Sequence, residues 1–462
     1  MTSLRLKALK YKDRYVSQVL FHVGIGVAVF LFQPLAKVYF ISAMLYCIWW
    51  IITSSRENTV RAVLISCAYF TGVEVLFRMT DGGLAYEASK YLVILFMIMG
   101  MFYRGLSGKG YPYFIYLIAL VPAIIVASVT LTYDAHFRTN IAFVLSGPVC
   151  LGVAALFCYD KKITHQQVIE IIKYISLPII STTVYIFFYN PSIKDVLYGT
   201  ASNLAASGGF GPNQVSTVLG LGMFCLVVRF FLKSPTLSLK LFNLAILGAI
   251  TYRAIVTFSR GGVIAAVIVV GAFLWTLFYK SSYEQRNRIM GMFFLFVAAI
   301  SVTWVISSNQ TRGLIDMRYA NEDALGREKK DITTGRLELF MEEIDGFLSS
   351  PFLGIGASRT KNIRVETIGR QLPSHNEFGR MLSEHGILGI LVILIMFIKP
   401  LAYRTTNRKN LFFYAFFCFW FATINHSAMR IAAPAFIYAL CLLNVTYDKP
   451  VIHRKLLKQQ TQ

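Results

Sequence analysis

The chain has 462 residues, of which 56% are hydrophobic and only 15% charged, and its formal net charge is +22. Soluble domains carry about a quarter charged residues, so a water-soluble enzyme, a secreted disulfide scaffold and a disordered protein are all excluded. The apolar residues come in runs of roughly 15 to 22, the length of a helix that crosses a bilayer, and predict an all-α polytopic membrane protein with about 12–14 transmembrane helices.

In chain order, Arg5, Lys7, Lys10, Lys12 and Arg14 precede the first run, Val19–Phe32, which reads as a retained anchor rather than a cleaved signal peptide. Further spans are expected at Val38–Ile52, Ala62–Phe77, Tyr91–Phe102, Tyr113–Leu131, Ile141–Cys158 and Ile169–Tyr189. A glycine-rich loop, Gly208-Gly-Phe-Gly-Pro-Asn-Gln214, then reads as a tight turn capped by Asn213. Val215–Phe231, Leu241–Phe258, Gly261–Tyr279 and Met290–Ile306 follow, and Phe378–Ile398, Leu411–Ile424 and Ile431–Val445 complete fourteen. The expected divisions are 1–306 (helices 1–11), 307–375 (an insert), 376–446 (helices 12–14) and a tail, 447–462. The seven cysteines all lie in apolar runs and form no CxxC, so they read as small core hydrophobes.

Lys and Arg concentrate in the short loops on the side of both termini, including Lys161, Lys162, Lys280, Arg286, Arg288, Arg404, Arg408 and Lys409. The opposite short loops hold only Lys37, Arg78, Lys90, Arg138, Lys194, Arg260 and Arg430. This asymmetry puts both ends in the cytoplasm. It also accounts for the net charge without a nucleic-acid partner.

The segment 307–374, on the outer side, departs from this pattern with ten basic and ten acidic residues. An unstructured loop of that length is uncommon, and a folded lid is expected instead. Thr334 is placed to cap a helix over about Gly335–Leu348, with Phe340, Ile344, Phe347 and Leu348 on one stripe.

Four motifs on that outer side carry candidate chemistry. Arg253 and Arg260 would share a face about 10 Å apart if the ninth helix ran through both. If Ser259 caps the tenth helix instead, Arg260 stands at its N-terminus, with Gly261 and Gly262 giving a phosphate access to backbone. Thr333-Thr-Gly-Arg336 repeats the pattern of an arginine at a helix start. In Pro373-Ser-His-Asn-Glu-Phe378, His375 precedes a helix, where the dipole would keep its imidazole neutral and able to accept a proton. The glycine loop is the fourth. Singly each is explained as well by ordinary capping or interface placement; together on one face they suit an anionic lipid undergoing transfer chemistry. The sequence has no P-loop, HExxH, GxSxG or Asp-x-Asp in the insert, so arginines would do a metal's electrostatic work on a diphosphate.

These residues resemble the O-antigen ligase and O-antigen polymerase superfamily of bacterial inner membranes. The likeness is carried by Ser259-Arg-Gly-Gly262, Thr334-Gly-Arg336, Pro351-Phe-Leu-Gly-Ile-Gly356, Ser374-His-Asn-Glu-Phe378 and Glu384-His-Gly-Ile-Leu-Gly389, with Gly-Pro-Asn-Gln214 a weaker match, over roughly residues 200–430. The resemblance implies a GT-C-like glycosyltransferase, independent of metal and cofactor, in the inner membrane with its site facing the periplasm. It implies an undecaprenyl-diphosphate-linked glycan as donor and a lipid A core, glycan or protein hydroxyl as acceptor. His375 would be the catalytic base, Arg260 and Arg336 the diphosphate holders, with Arg253 added by position alone and Ser259, Asn376, Glu377 and Asn213 in support. A lipid-glycan flippase is the alternative of another class, but it predicts two similar halves and polar groups near mid-bilayer, and the sequence has neither.

Overall fold

The computed structural model describes residues 2–131, 136–197, 199–329, 331, 333, 335–369 and 372–447. Its helices run α1 Thr2–Leu31, α2 Leu35–Thr53, α3 Thr59–Met79, α4 Ala88–Arg104, α5 Tyr111–Ala119, α6 Val121–Thr130 and α7 Phe137–Cys158. They continue with α8 His165–Tyr189, α9 Pro212–Leu232, α10 Leu237–Val256, α11 Arg260–Lys280, α12 Tyr283–Gln310 and α13 Leu314–Tyr319. The remainder are α14 Arg336–Ser349, α15 Arg359–Ile368, α16 Glu377–His385, α17 Ile387–Thr406, α18 Phe413–Ile424 and α19 Ala432–Leu440. Among the described residues eleven helical segments are long and apolar enough to cross a membrane. The protein is an all-α polytopic membrane protein.

Both α3 and α9 are buried on nearly every side, as helices apolar all round should be. Around them pack α8, α4, α10 and α11, while α18 and α19 join α11 to α7. In contrast, α12 rests on α10 and leaves most of its apolar surface outward.

Two expectations need correction. The twelfth span is two helices, because Gly386 adopts φ 59° between α16 and α17. A side chain there would meet the carbonyl oxygen of Pro351 at 2.6 Å. Across the break, the Ile387 amide donates to Pro351 O (2.8 Å) and the Ile355 amide to Ser383 O (2.9 Å), so the Pro351–Gly356 and Glu384–Gly389 motifs pack on each other. The fourteenth span is helical only to Leu440, and Asn444–Thr446 (β2) instead pairs in parallel with Lys162–Thr164 (β1). Thr334, the expected cap of the insert helix, lies outside the described residues; that helix begins at Arg336, one residue after the left-handed Gly335.

The end of the bundle bearing β1 and β2 gathers basic side chains: Lys161 Nζ donates to Arg104 O and Lys280 Nζ to Arg408 O. The insert folds over the other end, where Arg364 ties it together. Its guanidinium donates to Leu339 O and pairs with Glu342 and Glu343 of α14, and it also holds Leu372 O.

Candidate functional site

Under the insert lies a cleft of about 970 Å³, walled by α11, α13, α14 and the turn between α18 and α19. Arg260 opens α11 and Arg336 opens α14, while Arg318 comes from α13; all three face this cleft, as do His375 and His426.

The cleft is built around a break in the backbone. The chain turns at Phe258, a bulky residue held at φ 59°, a conformation that persists only where the surroundings enforce it. The Phe258 carbonyl accepts Arg318 Nε (3.2 Å), and Arg260 Nη1 donates to Arg318 O (3.3 Å), so the turn and α13 fix each other. Ser259 occupies the N-cap position of α11 but does not cap it: its hydroxyl donates to Asn213 Oδ1 (2.7 Å) and accepts from Ser216 (2.9 Å). Asn213 therefore does not cap the glycine turn; it lies in the first turn of α9 and braces the start of α11. Gly261 is required by contact, since a Cβ would fall 2.0 Å from His426 Cδ2. His426 in turn meets Thr217 Oγ1 through Nε2 (3.3 Å).

His375 sits two residues before α16, whose N-cap is Asn376, with Oδ1 accepting from the Phe378 amide (2.8 Å). The turn after α18 grips it: the Ala428 amide donates to His375 O (3.2 Å), and Arg430 Nη2 donates to Pro373 O (3.2 Å) and Ser374 O (2.6 Å). Ala428 is itself strained, at φ 51°.

Electrostatically the cleft is one-signed. Burial lowers the Arg318 and Arg336 guanidinium pKa values, and Arg260 lowers both further. Among the described residues no carboxylate lines the cleft. Positive groups crowded in this way favour an anion between them. Burial, then Arg430 and Arg336, takes the His375 imidazole down to about 3; burial and the same two arginines do the same for His426. For His375 the first cause of the lowering is burial rather than the helix dipole. His375 Nδ1 is buried without a hydrogen-bond partner. Among the described residues, no group of three or more His, Cys, Asp or Glu side chains is placed to hold a metal ion.

Residues 244–394 match the family model described as O-antigen ligase. That stretch of the chain is similar to the O-antigen ligase superfamily. It runs from α10 into α17 and contains Arg260, Arg318, Arg336 and His375. No curated protein matches the chain.

Of the residues picked from sequence, Arg260, Arg336, His375, Ser259, Asn376 and Asn213 meet at the cleft. Glu377 does not line it; buried below, it pairs with Arg380 and accepts the Met429 amide (3.3 Å). Arg253 is also elsewhere, and its inclusion is corrected. It is buried against the Phe187 ring (4.0 Å) and donates to Asn190 O (3.0 Å). The helix that would have aligned it with Arg260 ends at Val256. Sequence reasoning missed Arg318, His426, Arg430 and Arg364. A signal existed for two of them, because His426-Ser-Ala-Met-Arg430 interrupts two apolar runs with polar groups.

Proposed function

We propose that this protein transfers a preassembled glycan from undecaprenyl diphosphate to an acceptor hydroxyl, that of the lipid A core, at the periplasmic face of the inner membrane. The observation that carries the reading is the meeting of Arg260, Arg318 and Arg336 with the neutral His375 in one cleft free of carboxylates among the described residues. The basic end opposite the cleft supports cytoplasmic placement of that end.

The acceptor oxygen attacks the anomeric carbon and gives its proton to His375. The bond from that carbon to the diphosphate oxygen breaks, and a single displacement inverts the centre. Charge growing on the departing diphosphate is met by the three guanidiniums, of which Arg260 and Arg318 are held by backbone carbonyls and Arg318 and Arg336 are partly desolvated, so that they can do a metal's electrostatic work. Ile264, Ile268, Ala422 and Phe340 give the cleft an apolar side suited to the first isoprene units of the carrier.

The test is transfer by purified protein from a defined undecaprenyl-diphosphate glycan to delipidated core, a second glycan or a peptide hydroxyl, with and without EDTA. Product on the core that survives EDTA is expected. Product only on a glycan or peptide makes the protein a polymerase or a protein glycosylase, and EDTA-sensitive transfer overturns the arginine mechanism.

A further inference from the structure

The glycine turn leading into α9 borders two cavities. Asn213 faces the cleft, whereas Phe210 lines a separate hollow of about 360 Å³ formed with α2, α3 and the turn before α4. That volume is within the ordinary range for small-molecule sites, about 300–1,000 Å³. The transfer mechanism above uses none of its residues.

Three features of this hollow point to a ligand. Arg78 is buried, with Nη2 committed to Glu74 and Glu87 (3.0 Å) but Nε and Nη1 without partners, and leaving such donors unpaired is costly. Asp81 occupies the left-handed position that follows α3, at φ 49°, with the next amide, Gly82, donating back to Phe77 O (2.9 Å). Glycine fills that position at least cost, yet the chain places a carboxylate on the cavity wall there. Tyr86 carries the Arg78 guanidinium at 4.3 Å and lies 6.4 Å from the Phe210 ring, tilted 49°, so an apolar corner adjoins the polar groups.

The hollow is also coupled to the machinery around His375. Glu74 Oε2 accepts the Ala432 amide (2.6 Å), two residues from the Arg430 that holds Ser374 O. Charge then discriminates between ligands. Glu74 and Asp81 outnumber Arg78 on the wall, so a phosphate would meet net negative charge. A neutral polyhydroxyl ring instead finds a carboxylate for its hydroxyl donors, a guanidinium for its oxygens and aromatic faces for its C–H groups.

We propose that this hollow is a sugar subsite, in which Asp81 and Arg78 hydrogen-bond a glycosyl unit that packs against Tyr86. The proposal rests on the glycosyl-transfer reading, and the unit belongs to either the donor glycan or the acceptor core.

The test uses the full chain in nanodiscs, comparing wild type with Asp81→Gly and Tyr86→Ala. Asp81→Gly suits the left-handed backbone, so its melting temperature is expected to hold. In transfer assays both variants should raise KM for one substrate about tenfold, and the substrate affected names the source of the sugar. Unchanged KM values for both substrates overturn the subsite and leave the transfer reading standing. Should wild type transfer to no acceptor, the transfer reading fails, and saturation-transfer NMR with two soluble oligosaccharides decides the subsite alone. These are the delipidated core and the glycan released from the lipid-linked donor. Binding that is lost in Asp81→Gly supports the subsite; no binding, or equal binding, overturns it.

Discussion

Arg430 donates from Nη2 to the Ser374 carbonyl at 2.6 Å, one residue before His375, and also to Pro373 O. A single guanidinium thus fixes the peptide that carries the imidazole. Arg430→Ala should misplace His375 without touching the diphosphate arginines, and misplacement of about 1 Å can cost roughly 100-fold. The expected result is kcat down about 10- to 100-fold with donor KM within a few-fold, partly restored by Arg430→Lys. A change confined to donor KM would contradict this positioning role.

Removing one donor to a developing oxyanion costs about 2.7–4 kcal/mol, or roughly 100- to 1000-fold in rate. Arg260→Ala, Arg318→Ala and Arg336→Ala should each lower transfer by that order, and His375→Ala at least as far. Arg318 decides most, because sequence motifs do not single it out. Normal kcat in Arg318→Ala would reduce the anion site to two guanidiniums.

The histidines set a pH dependence whose sign is determined by burial. His375 and His426 have folded values near 3, below the usual 6.5, so the unfolded chain binds protons that the folded protein refuses. Their contribution is fully present above about pH 6.5 and lost progressively as pH falls towards 3. At pH 5 the loss is on the order of 2 kcal/mol per histidine. The melting temperature in detergent should therefore drop between pH 7 and 5, and less so in His426→Ala. In kcat/KM, which reports the free enzyme, protein that remains folded should show no His375 titration near 6.5, because burial and the neighbouring arginines hold that imidazole neutral before substrate binds.

Arg364 is buried and paired with the equally buried Glu343, which burial pushes above the usual carboxylate range. Breaking a buried pair by removing one partner typically costs about 3–5 kcal/mol. Arg364→Ala should loosen the insert, seen as faster proteolysis within 336–369 at unchanged cleavage elsewhere. Arg364→Met combined with Glu343→Leu should recover much of the protection. Equal cleavage rates in wild type and Arg364→Ala would mean that the insert is held by its other contacts.

Hydropathy and charge placement were enough to determine that this chain is a bundle of membrane-length helices with a polar insert, and that its basic loops collect at one end. Both follow from transfer free energies and the period of a helix, which are properties of short stretches. The same holds for the arginines at two helix starts and the histidine before a third. Which of these groups meet was decided only in three dimensions. Seven residues separate Arg253 from Arg260, and a continuous helix would have aligned them. Phe258 turns left-handed instead, so Arg253 is buried against Phe187 while Arg260 faces the cleft. Arg318 and His426 reach the same cleft from opposite ends of the insert and its following helices, Arg318 through its bonds with the Phe258 turn and Arg260, and His426 through the packing of α18 on α11. No local pattern encodes that approach. It depends on Gly261 leaving room for an imidazole more than 160 positions further along the chain.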